Sequence, residues 1–135
     1  MSRSNADTVH AFYQSFLGGN VAEGVQKYLA QGFVLSNPLP ESIPFGGDYS
    51  GPDGFLEYSG KILSTLTMEE FVIDEVVSEG EKVVVVGHER SKVHATGRSY
   101  EMKWVHVLRV SGGRIEEMRE YNDTAAMVAA FEIDS

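Results

Sequence analysis

Apolar residues recur at helical spacing in the first part of the chain and at alternate positions in its second half. Val9, Phe12, Phe16 and Leu17 repeat at helical intervals after a polar start at Ser4, Asn5 and Asp7, and Gly18-Gly19 ends the run. This predicts a first helix. Asn20 with Glu23 resembles a capping box, and Val21, Val25, Tyr28 and Leu29 form the next stripe. A strand is expected over 32–37, stopped by Pro38. Residues 38–50 hold three of the four prolines and two glycines, which predicts a long loop. Leu39, Ile43, Phe45 and Tyr49 make that loop more apolar than a mere linker. Pro52 suits a first helical turn, and Phe55, Tyr58, Ile62 and Leu63 carry a third helix. Strands follow over 67–79, 82–92, 99–110 and 114–121, with turns at 80–81, 95–98 and 111–113. A closing helix is expected over 123–131, with Asp123 or Thr124 as its cap. Helices first and a strand meander second predict an α+β fold, one antiparallel sheet covered by helices. No internal repeat interrupts residues 1–135, which read as one domain.

The strand over 99–110 carries the most informative position. Trp104, His106, Leu108 and Val110 share one face because successive side chains alternate. Three of the four are large and apolar, so that face is expected in the core, and His106 is the exception. A buried imidazole costs free energy unless a partner satisfies it. The following strand ends in Glu120 and Tyr121, with Asp123 just beyond, any of which could be that partner. The other face, with Lys103, Val105, Val107 and Arg109, is mixed, which suits an interface between subunits better than open water. A homodimer through this outer face is expected. In 82–92 the parity stays open. Val84, Val86, His88, Arg90 and Lys92 share one face, Val83, Val85, Gly87 and Glu89 the other, and both begin with valines.

Composition narrows the classes. The chain has 135 residues, 42% hydrophobic and 23% charged, as in a folded globular protein. A formal net charge of −9 argues against nucleic acid or an anionic membrane as partner. No apolar run reaches the roughly 20 residues of a membrane span. The start MSRSNADTV lacks a hydrophobic signal segment, so a cytoplasmic location is expected. Without cysteine there is no disulfide, thiol nucleophile or thiolate zinc site. His88 and His94 share a parity, so a three-histidine metal site with His106 is conceivable. The neighbouring cations and the ligand spacing speak against it, and no metal is expected. His10 reads as surface.

The segments FYQSFLGGNVAEGVQKYLAQGFVLSNP, YSGPDGFLEY and ATGRSYEMKWVHVLRVSGGRIEEMREYNDTAAM carry a resemblance that spans nearly the whole chain. It resembles the nuclear transport factor 2-like superfamily, in particular its SnoaL-like (polyketide cyclase-like) and ketosteroid-isomerase-like enzymes. The resemblance implies a strongly curved antiparallel sheet that forms a cone-shaped pocket with the N-terminal helices, a cystatin-like α+β barrel, and makes the His106 face a pocket wall. It does not imply one reaction, because the superfamily hosts isomerases, hydrolases, dehydratases, cyclases and binders. The aspartate base of ketosteroid isomerases falls on Asn37, their oxyanion-hole tyrosine on Phe12, and the protonated aspartate beside it on His106. Asn37 cannot abstract a carbon-bound proton and Phe12 cannot donate a hydrogen bond, which argues against that mechanism. Against limonene epoxide hydrolase, Asn37, Arg90 and Glu120 fall on the asparagine, arginine and carboxylate base. Leu35 replaces its tyrosine and Lys92 its acid.

Each candidate also has a plain structural reading. His106 could be a core histidine bonded to a carbonyl or carboxylate, Glu120 a solvated strand residue, Asn37 a turn cap and Asp123 a helix cap. Tyr13 reads as packing. Read functionally, His106 and Glu120 form an acid–base pair, and Arg90 and Asn37 orient a substrate oxygen or a water. Phe12, Phe33, Leu35, His88, Lys92, Trp104, Leu108, Tyr121 and Asp123 would then line the pocket around a small, largely apolar molecule. An imidazole near its ordinary pKa of about 6.5 can give and take protons at neutral pH. Isomerisation, cyclisation or hydration of this kind calls for no cofactor. The rival reading is a non-catalytic binding or dimerisation module, its cone filled by Phe12, Phe33, Trp104 and Tyr121.

Overall fold

Ser4 opens the first helix, its extended backbone letting Oγ accept the Asp7 amide at 3.1 Å. This satisfies one of the amides that a helix start leaves free. The computed structural model describes residues 4–133, so 1–3 and 134–135 of the expected domain span lie outside the described residues. Helix α1 (Asn5–Leu17) buries Thr8, Val9, Phe12 and Tyr13. Helix α2 (Val21–Tyr28) follows, but the expected capping box does not form. Asn20 has φ −110° and ψ 39°, outside the extended region that aims a capping side chain, and makes no side-chain cap. The chain then runs straight into β1 (Leu29–Asn37), longer than the expected strand.

The expected loop 38–50 contains a short strand, β2 (Gly47–Ser50), paired antiparallel with β1. Helix α3 (Gly51–Thr65) starts with Pro52 in its first turn. Four long strands follow: β3 (Leu66–Glu79), β4 (Lys82–Val93), β5 (Ser99–Ser111) and β6 (Arg114–Asn122). Helix α4 (Thr124–Phe131) closes the described chain. The sheet order is β2-β1-β6-β5-β4-β3, and β1 runs parallel to β6. The sheet is therefore mixed rather than wholly antiparallel, because the chain crosses over between β1 and β6 instead of turning back.

The meander fixes which side chains face the helices. In an antiparallel pair, directly opposed residues share a face. His106 is opposed to Val85 on one side and Glu120 on the other, and Trp104 to Gly87 and Asn122. Odd positions of β4 therefore join even positions of β5 and β6 on the core side. Val83, Val85, Ser91 and Val93 are accordingly buried, whereas Arg90 and Lys92 are exposed. The outer face carries Val84, Val86, Val105 and Val107 among charged neighbours.

Gly87 is the tightest point of this arrangement. The Trp104 ring lies flat over it, and an added Cβ would fall 2.3 Å from Trp104 Cζ2 and 2.3 Å from the Val72 carbonyl. Trp104 also stacks on His106 at 4.2 Å and on Phe71 at 4.8 Å between ring centroids. Overpacking of this kind typically costs about 1–3 kcal/mol. Gly87→Ala is therefore expected to lower stability by about 2 kcal/mol in urea denaturation, whereas Gly32→Ala, with open space around it, leaves the midpoint nearly unchanged.

Candidate active site

Helices α1 and α3 bring two tyrosines onto the sheet face that holds His106. Tyr13 follows Val9 by one helical turn, and Tyr58 follows Phe55 by three residues, so each shares its helix's buried side. Their hydroxyls meet the polar residues of β5 and β6. Tyr13 Oη lies 2.6 Å from His106 Nδ1, and His106 Nε2 lies 3.1 Å from Glu120 Oε1. Tyr58 donates to Glu120 Oε2 at 2.6 Å and accepts from Asn37 Nδ2 at 3.0 Å. Asn122 Nδ2 in turn donates to Asn37 Oδ1 at 3.0 Å. His106 is 6% exposed, Glu120 7% and Asn37 1%, so this chain of polar groups is held out of water.

The directions of these bonds follow from which groups can donate. With Glu120 as a carboxylate, the proton of a neutral His106 sits on Nε2, facing Glu120 Oε1 at 3.1 Å. In neutral imidazole Nδ1 is then an acceptor, and Tyr13 donates to it. Tyr58 serves the other carboxylate oxygen, and both asparagines donate towards Tyr58. The donors of the chain thus lead towards Glu120, whose Oε2 accepts directly from Tyr58. Burial, reinforced by the charge of Glu120, raises both tyrosine hydroxyls well above their ordinary pKa. They remain protonated donors at neutral pH.

A cavity opens beside this chain, with about 600 Å³ of atom-free space counting its mouth. His106, Glu120, Tyr13 and Tyr58 line it together with apolar Phe12, Phe55, Phe71 and Met118. Phe45 of the loop 38–46 and Met127 of α4 complete the wall near Tyr58. The apolar loop seen in the sequence is thus a wall of the cavity, with Ile43 and Phe45 both 3% exposed. Glu89 also lines the cavity, and burial raises its carboxyl above the usual carboxylate range.

The predicted residues divide by position. His106, Glu120 and Phe12 line the cavity, and Asn37 sits one hydrogen bond behind Tyr58, which donates to Glu120. Trp104 backs His106 by stacking, while Phe33, Leu35 and Leu108 are fully buried core that does not reach the cavity wall. Arg90, His88 and Lys92 require correction, since the register of β4 on β5 turns them to the outer face. There Arg90 lies 3.7 Å from Glu69 and 3.9 Å from both Glu70 and Glu101. His88 lies 2.7 Å from Asp74, a hydrogen bond that, more than any other contact, raises its pKa. Tyr121, opposed to Val105, is 48% exposed on that same face, and Asp123 is exposed at the start of α4. Neither reaches the cavity.

The tyrosine position set by resemblance on Phe12 also shifts, because the next residue, Tyr13, supplies the hydroxyl beside residue 106. Tyr13, Tyr58, Glu89, Tyr100 and Asn122 are the polar residues that sequence reasoning left out of the site. Tyr58 was visible only as a member of an apolar stripe, and Tyr13 only as a packing residue. Glu89 was visible as a lone acid on a strand face that begins with valines. Among the described residues, no group of three or more His, Cys, Asp or Glu side chains could hold a metal ion. No described helix is long and apolar enough to cross a membrane.

Solved structures share this architecture. An NTF2-like protein from Burkholderia xenovorans LB400 is 26% identical, covers 95% of each chain and superposes with a TM-score of 0.84. An NTF2-like protein of unknown function from Burkholderia pseudomallei K96243 is 28% identical, over 97% of this chain and 100% of its own, with a TM-score of 0.81. TerC, co-crystallised with polyporic acid, is 22% identical over 96% of this chain and 98% of its own, with a TM-score of 0.83. More distant matches with the same fold, at 15–19% identity, are described as SnoaL-like polyketide cyclases and isomerases. No curated protein matches the sequence. The SnoaL-like domain matches residues 9–118, from the first helix to the middle of the last strand. The chain therefore belongs to the SnoaL-like domain family and carries the NTF2-like cone fold.

Proposed function

We propose that the cavity is the reaction chamber of a cofactor-independent acid–base enzyme that isomerises, cyclises or hydrates a small, largely apolar molecule. One observation carries this reading: a buried chain of polar contacts runs from Tyr13 to His106, across a 3.1 Å ion-pair contact to Glu120, and on to Tyr58, beside an aromatic cavity. Its distant relatives described as cyclases and isomerases, and TerC with its polyporic acid, support small-molecule chemistry in such a chamber.

Tyr13 and His106 act as a relay with two states. With His106 neutral, Tyr13 donates to Nδ1 and its oxygen lone pair is free to receive a proton from the substrate. As that proton arrives, the tyrosine's own proton passes to Nδ1, and the imidazolium is stabilised by Glu120 at 3.1 Å. With His106 charged, Nδ1–H donates to the tyrosine oxygen, and the tyrosine hydroxyl is free to protonate a substrate oxygen or stabilise an enolate. The relay therefore returns the proton it took. Tyr58, held by Asn37 and Asn122, fixes the second oxygen of Glu120 and keeps the carboxylate aligned with His106. An apolar cavity strengthens each of these interactions by excluding water.

The test uses a cyclic aryl ketone. Exchange of the α-hydrogens of α-tetralone in deuterium oxide, followed by NMR, is expected to run faster with the protein than with buffer. His106→Ala and Glu120→Gln should each slow that exchange by about 100-fold or more, while circular dichroism shows the fold retained. Full exchange in both variants would sink the assignment, and binding of the ketone without exchange would favour a non-catalytic module. Tyr13→Phe removes only the hydroxyl at the head of the relay. It is expected to lower kcat by about 100-fold with little change in KM.

Glu89 sets a pH dependence of stability. Its folded pKa is raised by burial, so between its unfolded and folded values the native state binds more protons than the unfolded chain. Its contribution is fully present below the unfolded value and is lost as pH rises through the folded one. Glu89→Gln should therefore gain stability relative to the wild type as pH rises from about 4 to 7. Paired thermal melts across that range check it, and parallel curves would contradict the raised pKa.

A further inference from the structure

A second polar cluster lines the same cavity and is not used by the relay. Glu89 and Ser91 project inwards from β4, and Tyr100 projects from β5 directly opposite Ser91. Ser91 is fully buried and donates its hydroxyl to Glu89 Oε2 at 2.7 Å. Tyr100 is 4% exposed, and its hydroxyl lies beside Ser91 without completing a hydrogen bond to any protein group. Glu89 and Tyr100 both face the cavity. A buried donor without a protein partner, on a residue that lines a cavity, is a place for an acceptor from outside the chain once the wall yields to admit it.

The two clusters sit at different positions along β5, near enough that the charges of Glu120 and His106 act on Glu89. Glu89 is opposed to Met102, four positions along β5 from His106, or about 13 Å of strand before curvature shortens it. Phe12, Phe55, Phe71 and Met102 line the cavity with them. We infer that Glu89, Ser91 and Tyr100 form a second subsite that holds a hydroxyl of the substrate, which is a flat apolar molecule with an oxygen function at each end. The ligand hydroxyl accepts from Tyr100 and donates to the Glu89 carboxyl, whose other oxygen is held by Ser91. The remaining oxygen function meets the Tyr13–His106 relay. The burial that raises the carboxyl's pKa leaves it an acceptor in either protonation state.

This inference rests on the reading of the cavity as the substrate chamber, and the probes separate the two. Biphenyl, para-phenylphenol and para,para′-biphenol differ only in carrying no, one or two terminal hydroxyls. Their affinities are read by quenching of Trp104, the single tryptophan, which stacks on His106. Each hydroxyl is expected to tighten binding to the wild type by about three- to tenfold. Tyr100→Phe and Glu89→Gln should each erase the gain from the second hydroxyl and keep the first. Tyr100→Phe deletes an unpaired hydroxyl and should melt at or above the wild-type temperature, and Glu89→Gln tests the same subsite without touching that ring. Survival of the second gain in both variants would overturn the subsite while leaving the chamber intact. Failure of all three probes to bind the wild type would overturn the chamber and the subsite together.

Discussion

The site is organised by the need to keep a histidine and a carboxylate together out of water. Two ionisable groups at 6% and 7% exposure are costly unless every lone pair and proton between them is matched. Four elements besides β5 contribute to that match. Helix α1 supplies Tyr13, α3 supplies Tyr58, β1 supplies Asn37 and β6 supplies both Glu120 and Asn122. The pair is thus tied to segments far apart in the chain, and the polar network depends on the packing of the whole cone.

Packing behind the network is equally specific. Trp104 stacks on the imidazole and occupies the space that Gly87 leaves open, so one missing side chain on β4 sets the position of a ring on β5. A tilt of that ring would move His106 relative to two partners at 2.6 Å and 3.1 Å. Displacements below 1 Å matter at such distances, because hydrogen bonds weaken steeply as their geometry departs from ideal. The apolar loop before β2 and the last helix add Phe45 and Met127 to the wall. The core and the cavity wall share their side chains.

The pairing of His106 with Glu120 was legible because hairpin geometry is local. A two-residue turn, Gly112-Gly113, joins β5 to β6, and strand alternation puts an apolar-face histidine opposite an acid. The opposite error on β4 has the same physical root. Val83 to Val86 fit either face, so the inward placing of His88, Arg90 and Lys92 had no support from periodicity. The register of β4 on β5 turned them out, where carboxylates surround Arg90 and His88. Tyr121 and Asp123 were misplaced for a related reason, since being close in sequence to Glu120 does not mean sharing its face.

By itself the sequence determined the order of elements, the α+β class, the family resemblance and the burial of the His106 face. These follow from periods and turn residues that act over a few positions. Only the tertiary structure decided that Tyr13 and Tyr58 are polar members of the site and that Glu89 and Tyr100 face the cavity. It also decided that Asn37 serves Tyr58. Those contacts join residues 21 to 93 positions apart, and a tyrosine on an apolar helix stripe reads the same whether its hydroxyl meets a histidine or water. Its partner is chosen by how the helices settle on the sheet, which no local pattern encodes.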